Sequence, residues 1–214
     1  MTKQEYTDFI RNSLPRVDQT NRYDRRQVAV AINVAVNTVF YELYMQNPKK
    51  MTKAMERYST TATIVPSDTT LRGRYVGTLT GDVVDLPRKT GGILSIRQWD
   101  GGGIAEIETT VTNYVPVTVM EGEQFYGSEA SLSGVVVGFS WSKLGQIEFW
   151  GMSAAEAAKG VEVRYLKQFK SYTDTESVIL PFGQDERIIQ LVREFMGLTP
   201  PVDTINDNSD IKKG

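Results

Sequence analysis

Carboxylates carry most of the chemistry open to this chain, because the sequence contains no histidine and no cysteine. Those two residue types supply most nucleophile–base pairs and most transition-metal ligands in proteins. Their absence excludes cysteine proteases, thiol redox proteins, zinc hydrolases and Ser-His-Asp hydrolases. Carboxylate, lysine or tyrosine chemistry is left, and the composition favours a protein that works by shape and contact.

Glu106 and Glu108 form the best catalytic pair in the sequence. They are two residues apart on a predicted strand, so both side chains point to one face, about 7 Å apart. That separation suits the acid and base of an inverting glycosidase, which flank a water molecule. However, alternation along an exposed strand gives solvated carboxylates the same spacing, and catalytic pairs usually come from different strands. We therefore predict that the chain is not an enzyme.

Two further motifs fall short of a ligand site. The run Gly101-Gly102-Gly103 lacks the following Lys-Ser/Thr pair of a phosphate-binding loop and is typical of a hairpin loop. The segment from Asp207 to Asp210 offers oxygen ligands but lacks the glycine and distal glutamate of an EF-hand. No metal and no cofactor is therefore predicted.

Basic residues gather where two predicted helices begin, and such cations oppose the helix dipole unless an anionic group lies nearby. Between Asp100 and Ala158, by contrast, the chain has eight acidic residues and one basic residue, Lys143. The sequence thus predicts contacts between the basic end of one copy and the acidic region of another, with two solvated faces as the alternative. The residues concerned are Arg22, Arg25 and Arg26, then Lys49 and Lys50, and on the acidic side Glu106 and Glu108.

The composition indicates an ordinary globular protein with a real core. Of 214 residues, 40% are apolar and 23% are charged, and the formal net charge is -2, so sequence-specific DNA binding has no support. The N-terminus lacks the apolar segment of a signal peptide. The most apolar stretch, Val28 to Leu43, is interrupted by Asn33, Asn37 and Glu42 and is shorter than a bilayer span. We expect assembly in a cytoplasm and no membrane partner.

The longest predicted helix runs from Asp24 to Gln46, with Asp24 as N-cap. The run Val28 to Val36 is rich in β-branched residues and would also suit a strand, but its length favours a helix. Val30 and Val34 spoil the one-sided apolar pattern. We therefore expect this helix to be covered on more than one face, by its own domain or by a neighbouring subunit.

Shorter helices are predicted at both ends. Thr2 and Glu5 have capping-box spacing for a first helix, and Pro48 suits the start of a third. A C-terminal helix is predicted with Asp185 as cap and Gly197 as stop. Its apolar face would carry Ile188, Ile189, Val192, Phe195 and Met196.

Many short strands divided by glycine turns, without βαβ alternation, predict an α+β fold with an antiparallel or mixed sandwich or barrel-like domain. We predict a helical region at residues 1–60, the β-rich domain at 61–183, a packed helix at 184–198 and an extended tail at 199–214. Residues 154–159 could form a helical turn or a hairpin tip. The candidate strands are Thr61–Val65, Val83–Leu86, Ile93–Gln98, Ile104–Thr110, Val115–Val119, Val135–Ser140, Gln146–Trp150, Val161–Tyr165 and Ser177–Leu180.

The tail is too polar to fold alone. It is either loose or an arm that orders on a partner, and its candidate contact residues are Pro201, Val202, Ile205 and Ile211.

The order of these parts resembles the head-to-tail connector proteins (neck ring or adaptor) of short-tailed, crAss-like phages of Bacteroidetes. The resemblance spans most of the chain as an order of features. Its motifs are Leu14-Pro15-Arg16-Val17-Asp18, Tyr23-Asp24-Arg25-Arg26-Gln27-Val28, Val84-Asp85-Leu86-Pro87, Gly92-Ile93-Leu94-Ser95-Ile96, Tyr114-Val115-Pro116-Val117 and the segment from Leu180 to Val192 before the Pro-Pro tail.

The resemblance implies a structural protein of the virion, at the portal vertex or neck, assembled in the host cytoplasm. It implies a homo-oligomeric ring, commonly of twelve copies, that docks on the portal and neighbouring neck or tail proteins and surrounds the packaged DNA. An acidic lumen would let DNA slide, since attraction to phosphate would hold it.

Two alternatives come from other classes. One is a carbohydrate-binding or carbohydrate-active phage tail protein, with Trp99, Trp141 and Trp150 as stacking platforms. The other is a bacterial cytoplasmic enzyme that uses lysine or carboxylate, for which the sequence offers no constellation.

Overall fold

The computed structural model describes residues 1–15, 23–46, 55–68, 74–99, 113–118, 121–122, 136–141, 145–181 and 183–198. These residues form helices and two β-sheets, so the predicted α+β class is confirmed. The helices are α1 (Lys3–Ser13), α2 (Arg25–Gln46), α3 (Ala154–Lys159) and α4 (Asp185–Phe195), with 3₁₀ turns at Glu56–Tyr58 and Phe169–Ser171. The strands are β1 (Thr60–Ile64), β2 (Ser67–Asp68), β3 (Arg74–Thr78), β4 (Ile93–Gln98), β5 (Asn113–Pro116), β6 (Val136–Trp141), β7 (Gln146–Trp150) and β8 (Val161–Tyr165).

Helix α1 begins at the predicted capping box. The Glu5 N–H donates to the Thr2 hydroxyl oxygen at 3.2 Å, and the Thr2 N–H donates to the Glu5 carboxylate at 2.8 Å. Both donors would otherwise lack a partner within the helix. A local sequence signal is therefore enough to fix where this helix starts.

We expect Thr2→Ala to lower the free energy of unfolding by about 1 kcal/mol, because it removes the acceptor for an orphan N–H. Urea denaturation followed by circular dichroism measures the loss. Gln4→Ala is the matched control, since Gln4 is exposed in the same turn. An unchanged free energy of unfolding in Thr2→Ala would contradict a stabilising role for this cap.

The starts of the other two long helices differ in how well the sequence predicts them. The Arg26 N–H donates to the Asp24 carboxylate at 2.9 Å, as expected for an N-cap. The prediction that Asp185 caps α4 is wrong, because Gln184 is the N-cap and Asp185 is the first helical residue. Instead, Asp185 accepts from the Tyr6 hydroxyl at 2.9 Å and ties α4 to α1.

The β-rich part consists of two sheets. Strands β1-β8-β4 form an antiparallel sheet, and strands β2-β3-β7-β6-β5 form a second, in which β5 runs parallel to β6. The predicted strands Ile93–Gln98, Gln146–Trp150 and Val161–Tyr165 match β4, β7 and β8, and Ala154–Lys159 is helical. The predicted strand Ile104–Thr110 lies outside the described residues.

Two other predicted strands are wrong. The segments Val83–Leu86 and Ser177–Leu180 each contribute one isolated bridge, between Val83 and Lys167 and between Ser177 and Thr2. Val83 packs with the sheets whereas its neighbours Val84 and Leu86 pack with the helices. The segment Val83–Leu86 therefore connects the buried side chains of the sheets with those of the helices. Its run of apolar residues results from burial against both and not from a strand. The strand β3 was not predicted.

The buried side chains form two clusters. The helical cluster contains side chains of α1, α2 and α4 and of the segments that neighbour β8. The sheet cluster contains side chains from both sheets, so the two sheets pack together. The domain boundaries predicted from the sequence, after residues 60, 183 and 198, are not tested by these two clusters and stay predictions. The largest fully buried residues of the helical cluster are Ile10, Ile32, Phe40, Met55, Leu166, Phe169 and Ile188, and those of the sheet cluster are Ile93, Ile147 and Phe149.

Candidate functional site

Helix α2 is apolar on two opposite sides. One side belongs to the helical cluster and packs against α1 and α4. The buried residues on that side are Val28, Ala31, Ile32, Ala35, Val36, Val39 and Phe40. The other side carries large apolar residues that the described part of the chain leaves exposed.

The exposed residues lie along one line, called here the apolar stripe: Val30, Val34, Tyr41 and Met45. The partly buried polar residues Asn37 and Thr38 lie between its two halves. Val30 is 66% exposed, Tyr41 45% and Met45 55%. At 3.6 residues per turn, the four residues lie within about 60° of one another around the helix axis and extend over about 22 Å. Val30 and Val34 are the two residues that spoil the one-sided pattern in the sequence, so the pattern marks a second apolar face.

By length and composition alone, α2 could cross a membrane, and it is the single helix in the described ranges for which this holds. The core helix of a soluble protein passes the same test. In this fold, α2 is the central element of the helical cluster, where one side is fully buried against protein.

The N-terminal half of the apolar stripe forms one wall of a groove of about 600 Å³ between α2 and the end of α4. Phe195, which is 54% exposed, stands on the other side. The sequence predicts Phe195 on the packed face of α4, and the structure corrects this. The residues that line the groove are Tyr23, Arg26, Gln27, Val30, Ala31, Val34, Phe195 and Met196.

An ion pair fixes the direction of α4 on α2. The Arg187 guanidinium donates to the Glu42 carboxylate, with Nη2–Oε1 at 2.6 Å and Nε–Oε2 at 3.2 Å. Arg187 lies at the start of α4 and Glu42 in the C-terminal half of α2, whereas Phe195 at the end of α4 lines the same groove as Val30 in the N-terminal half of α2. The two helices are therefore antiparallel, and the groove opens beside the N-terminal half of α2.

The stability that this ion pair contributes should depend on pH. Hydrogen bonds from Arg187 lower the pKa of Glu42 below its ordinary value of 4.5. A lowered folded-state pKa gives stabilisation that is fully present above the ordinary value and is lost as the pH falls through the lowered one.

We therefore expect Glu42→Gln to cost less than about 1 kcal/mol of unfolding free energy at neutral pH, as is usual for surface pairs. The difference from the wild type should shrink toward zero as the pH falls below 4.5. Urea denaturation at a series of pH values measures it. A difference that stays constant down to the most acidic sample would contradict the assigned role of Glu42.

Two of the predicted contact residues lie in the described ranges, and their surroundings differ. Arg25 binds the Asp8 carboxylate of α1, with Nη2–Oδ2 at 2.7 Å and Nε–Oδ1 at 3.1 Å. It therefore fastens α2 to α1. Arg26 lines the groove, and its side chain has no hydrogen bond or ion pair within the part of the chain that the structure describes. A carboxylate entering the groove would meet a cation that has no partner among the described residues.

The remaining predicted contact residues lie outside the described ranges, and the structure neither joins nor separates them. They are Arg22, Lys49, Lys50, Glu106, Glu108, Pro201, Val202, Ile205 and Ile211. The sequence analysis missed Tyr41, Met45 and Phe195 as surface residues, although the spacing from Val30 to Met45 already follows one helical stripe.

Two buried tyrosines, Tyr165 and Tyr6, use their hydroxyls as hydrogen-bond donors. Burial raises the pKa of Tyr165 to about 12, and its hydroxyl donates to the Thr80 carbonyl at 3.2 Å. Burial, followed by the charge of Asp185, raises the pKa of Tyr6, which donates to that carboxylate. Hydroxyls with raised pKa values stay protonated at neutral pH and supply neither a base nor a nucleophile. These tyrosines therefore support the fold.

One of the three tryptophans is buried, and the other two are partly exposed. Trp150 is 4% exposed, and the Arg74 guanidinium lies 5.1 Å from its ring centre. Trp141 packs against Gly91, where a Cβ atom would collide with the indole ring. Trp99 is partly exposed. The carbohydrate alternative gains no support from this geometry.

Within the described ranges, no group of three or more acidic side chains lies close enough to hold a metal ion. No protein-family model matches the chain, and no curated protein matches it.

Proposed function

We propose that the chain is a non-enzymatic structural subunit of a phage neck: a head-to-tail connector that forms a ring of about twelve copies, docks on the portal at the virion's portal vertex and surrounds the DNA channel. The observation that carries this proposal is the apolar stripe of α2. The order of features along the sequence, which resembles connector proteins, supplies the identity of the ring.

The apolar stripe supports assembly because its four exposed side chains share one side of the helix. Single exposed apolar residues are normal on soluble proteins, whereas exposed apolar residues grouped on one surface mark an interaction site. Val30, Val34, Tyr41 and Met45 lie along one line of the longest helix. Such a line fits the ridges and grooves of another helix or sheet surface.

A second copy of the chain is the partner that the charges favour. Arg26 is unpaired within the described residues and lies beside the apolar stripe. The same sequence supplies acidic segments that could meet it, both between Asp100 and Ala158 and in the tail after Thr199. Contact between unlike surfaces of successive copies is heterologous, and heterologous contacts close into rings when the rotation permits.

The mass of the purified protein tests the proposal. Native mass spectrometry and light scattering are run from about 1 to about 100 µM, first alone and then with the portal protein of a crAss-like phage. A discrete ring, formed alone or on the portal, is the expected result. A chain that stays monomeric throughout, with and without the portal, would overturn it.

A further inference from the structure

We propose that the groove between α2 and α4 receives residues 200–205 of a neighbouring copy. This inference rests on the proposed function, because it names the contact that joins successive copies of the ring. It concerns the N-terminal half of the apolar stripe and leaves Tyr41 and Met45 to other contacts.

The groove is built for an apolar segment with one negative charge. Val30 and Phe195 are each more than half exposed on its two sides. Arg26 stands at the same groove and has no partner within the described residues. Filling the space would bury the two apolar side chains and pair the cation in one step.

The segment after α4 has the matching chemistry. Its sequence is Pro200-Pro201-Val202-Asp203-Thr204-Ile205. Val202 and Ile205 are three residues apart, which is the spacing that places two side chains on one side of a polyproline II helix. Asp203 follows the first of them and offers a carboxylate. No basic residue occurs between Thr199 and Asp210, so nothing in the segment competes for that carboxylate.

The end of α4 directs this segment away from the groove of its own copy. Gly197 adopts a φ of +68°, and the Leu198 N–H donates to the Arg193 carbonyl at 2.7 Å, which turns the chain back. The Arg193 side chain binds the Ser13 carbonyl of α1. Arg193 and Phe195 lie about 160° apart around α4, so the turn brings Leu198 to the side of α4 that faces α1.

A neighbouring groove is therefore the receptor that this turn favours for the segment. The resulting contact joins unlike surfaces of two copies, which is the requirement for a closed ring.

Two full-length variants test the inference. Val30→Glu damages the groove at an exposed position, and Val202→Asp with Ile205→Asp damages the segment. We expect each variant alone to need about tenfold or more protein for assembly than the wild type. Asn208→Asp with Ser209→Asp, which adds the same two charges to the tail beyond the proposed contact, is the matched control and should assemble normally.

Mixing the two variants identifies the source of the segment. In the mixture, the variant changed at Val202 and Ile205 (the segment variant) keeps an intact groove. The variant changed at Val30 (the groove variant) keeps an intact segment. With one variant isotope-labelled, native mass spectrometry should show one-to-one heterodimers that grow no further. Occupation of each groove by its own segment would give no heterodimer and would overturn the inference.

The remaining outcomes separate this inference from the proposed function. If the segment variant assembles like the wild type, docking of the segment is wrong while the ring proposal stands. If the wild type itself stays monomeric with and without the portal, both are wrong. A charge exchange adds a specific check: Arg26→Asp should weaken assembly, and Asp203→Arg in the same chain should restore it.

Discussion

Replacing both Tyr41 and Met45 with glutamate is expected to raise the protein concentration needed for assembly by about a hundredfold or more. Both side chains lie in the C-terminal half of the apolar stripe and are about half exposed in the single chain. Burying a large apolar side chain at an interface contributes about 1.5–3 kcal/mol. An unpaired carboxylate in the same place adds a desolvation cost.

Light scattering over a dilution series measures the effect, and thermal unfolding of the dilute monomer shows that the fold is intact. The matched control adds two negative charges at exposed positions off the stripe, Asn12→Glu and Gln46→Glu. Charge alone would weaken both double variants equally. Equal loss would therefore contradict a specific role for Tyr41 and Met45.

Phe169→Ala is expected to lower the free energy of unfolding by about 3–5 kcal/mol. Phe169 is fully buried in the 3₁₀ turn between β8 and α4, and its ring centre lies 6.0 Å from that of Tyr6. The next residue ties the turn to α2, because the Lys170 N–H donates to the Asn33 side chain at 3.0 Å. Truncation would open a cavity where α1, α2 and the β-rich part meet.

Phe195→Ala provides the comparison for the same chemical change at an exposed position. A substitution at such a position usually alters stability by no more than about 0.5 kcal/mol. Urea denaturation of the two variants at a concentration where the protein is monomeric measures both. Similar losses of unfolding free energy in the two variants would contradict the stabilising role assigned to the buried Phe169 ring.

Where the sequence signal is local, it predicts the fold well. Thr2 and Asp24 make the hydrogen bonds that their spacing indicates, because a cap involves only three or four neighbouring residues. The strand Val161–Tyr165 shows strict alternation of burial and is predicted to the residue. Asp185 has the same local signal as Asp24, but a distant hydroxyl, that of Tyr6, takes its carboxylate.

The site depends on contacts that local patterns do not contain. Which side of α2 is buried is decided by α4, and the ion pair between them joins Glu42 to Arg187, 145 residues away in sequence. Val30 and Val34 show in the sequence that a second apolar face exists. They do not show that it continues to Met45, or that Phe195 turns outward beside it.

The two-sided character of α2 also bears on how the protein must be produced. A protein whose longest described helix keeps an apolar line in water is a target for any exposed hydrophobic surface, including that of an incompletely folded neighbour. Surplus copies would be drawn into aggregates or held by chaperones. Under the proposed function, synthesis of the chain has to keep pace with the ring that consumes it, so the side chains of one helix place a limit on gene dosage.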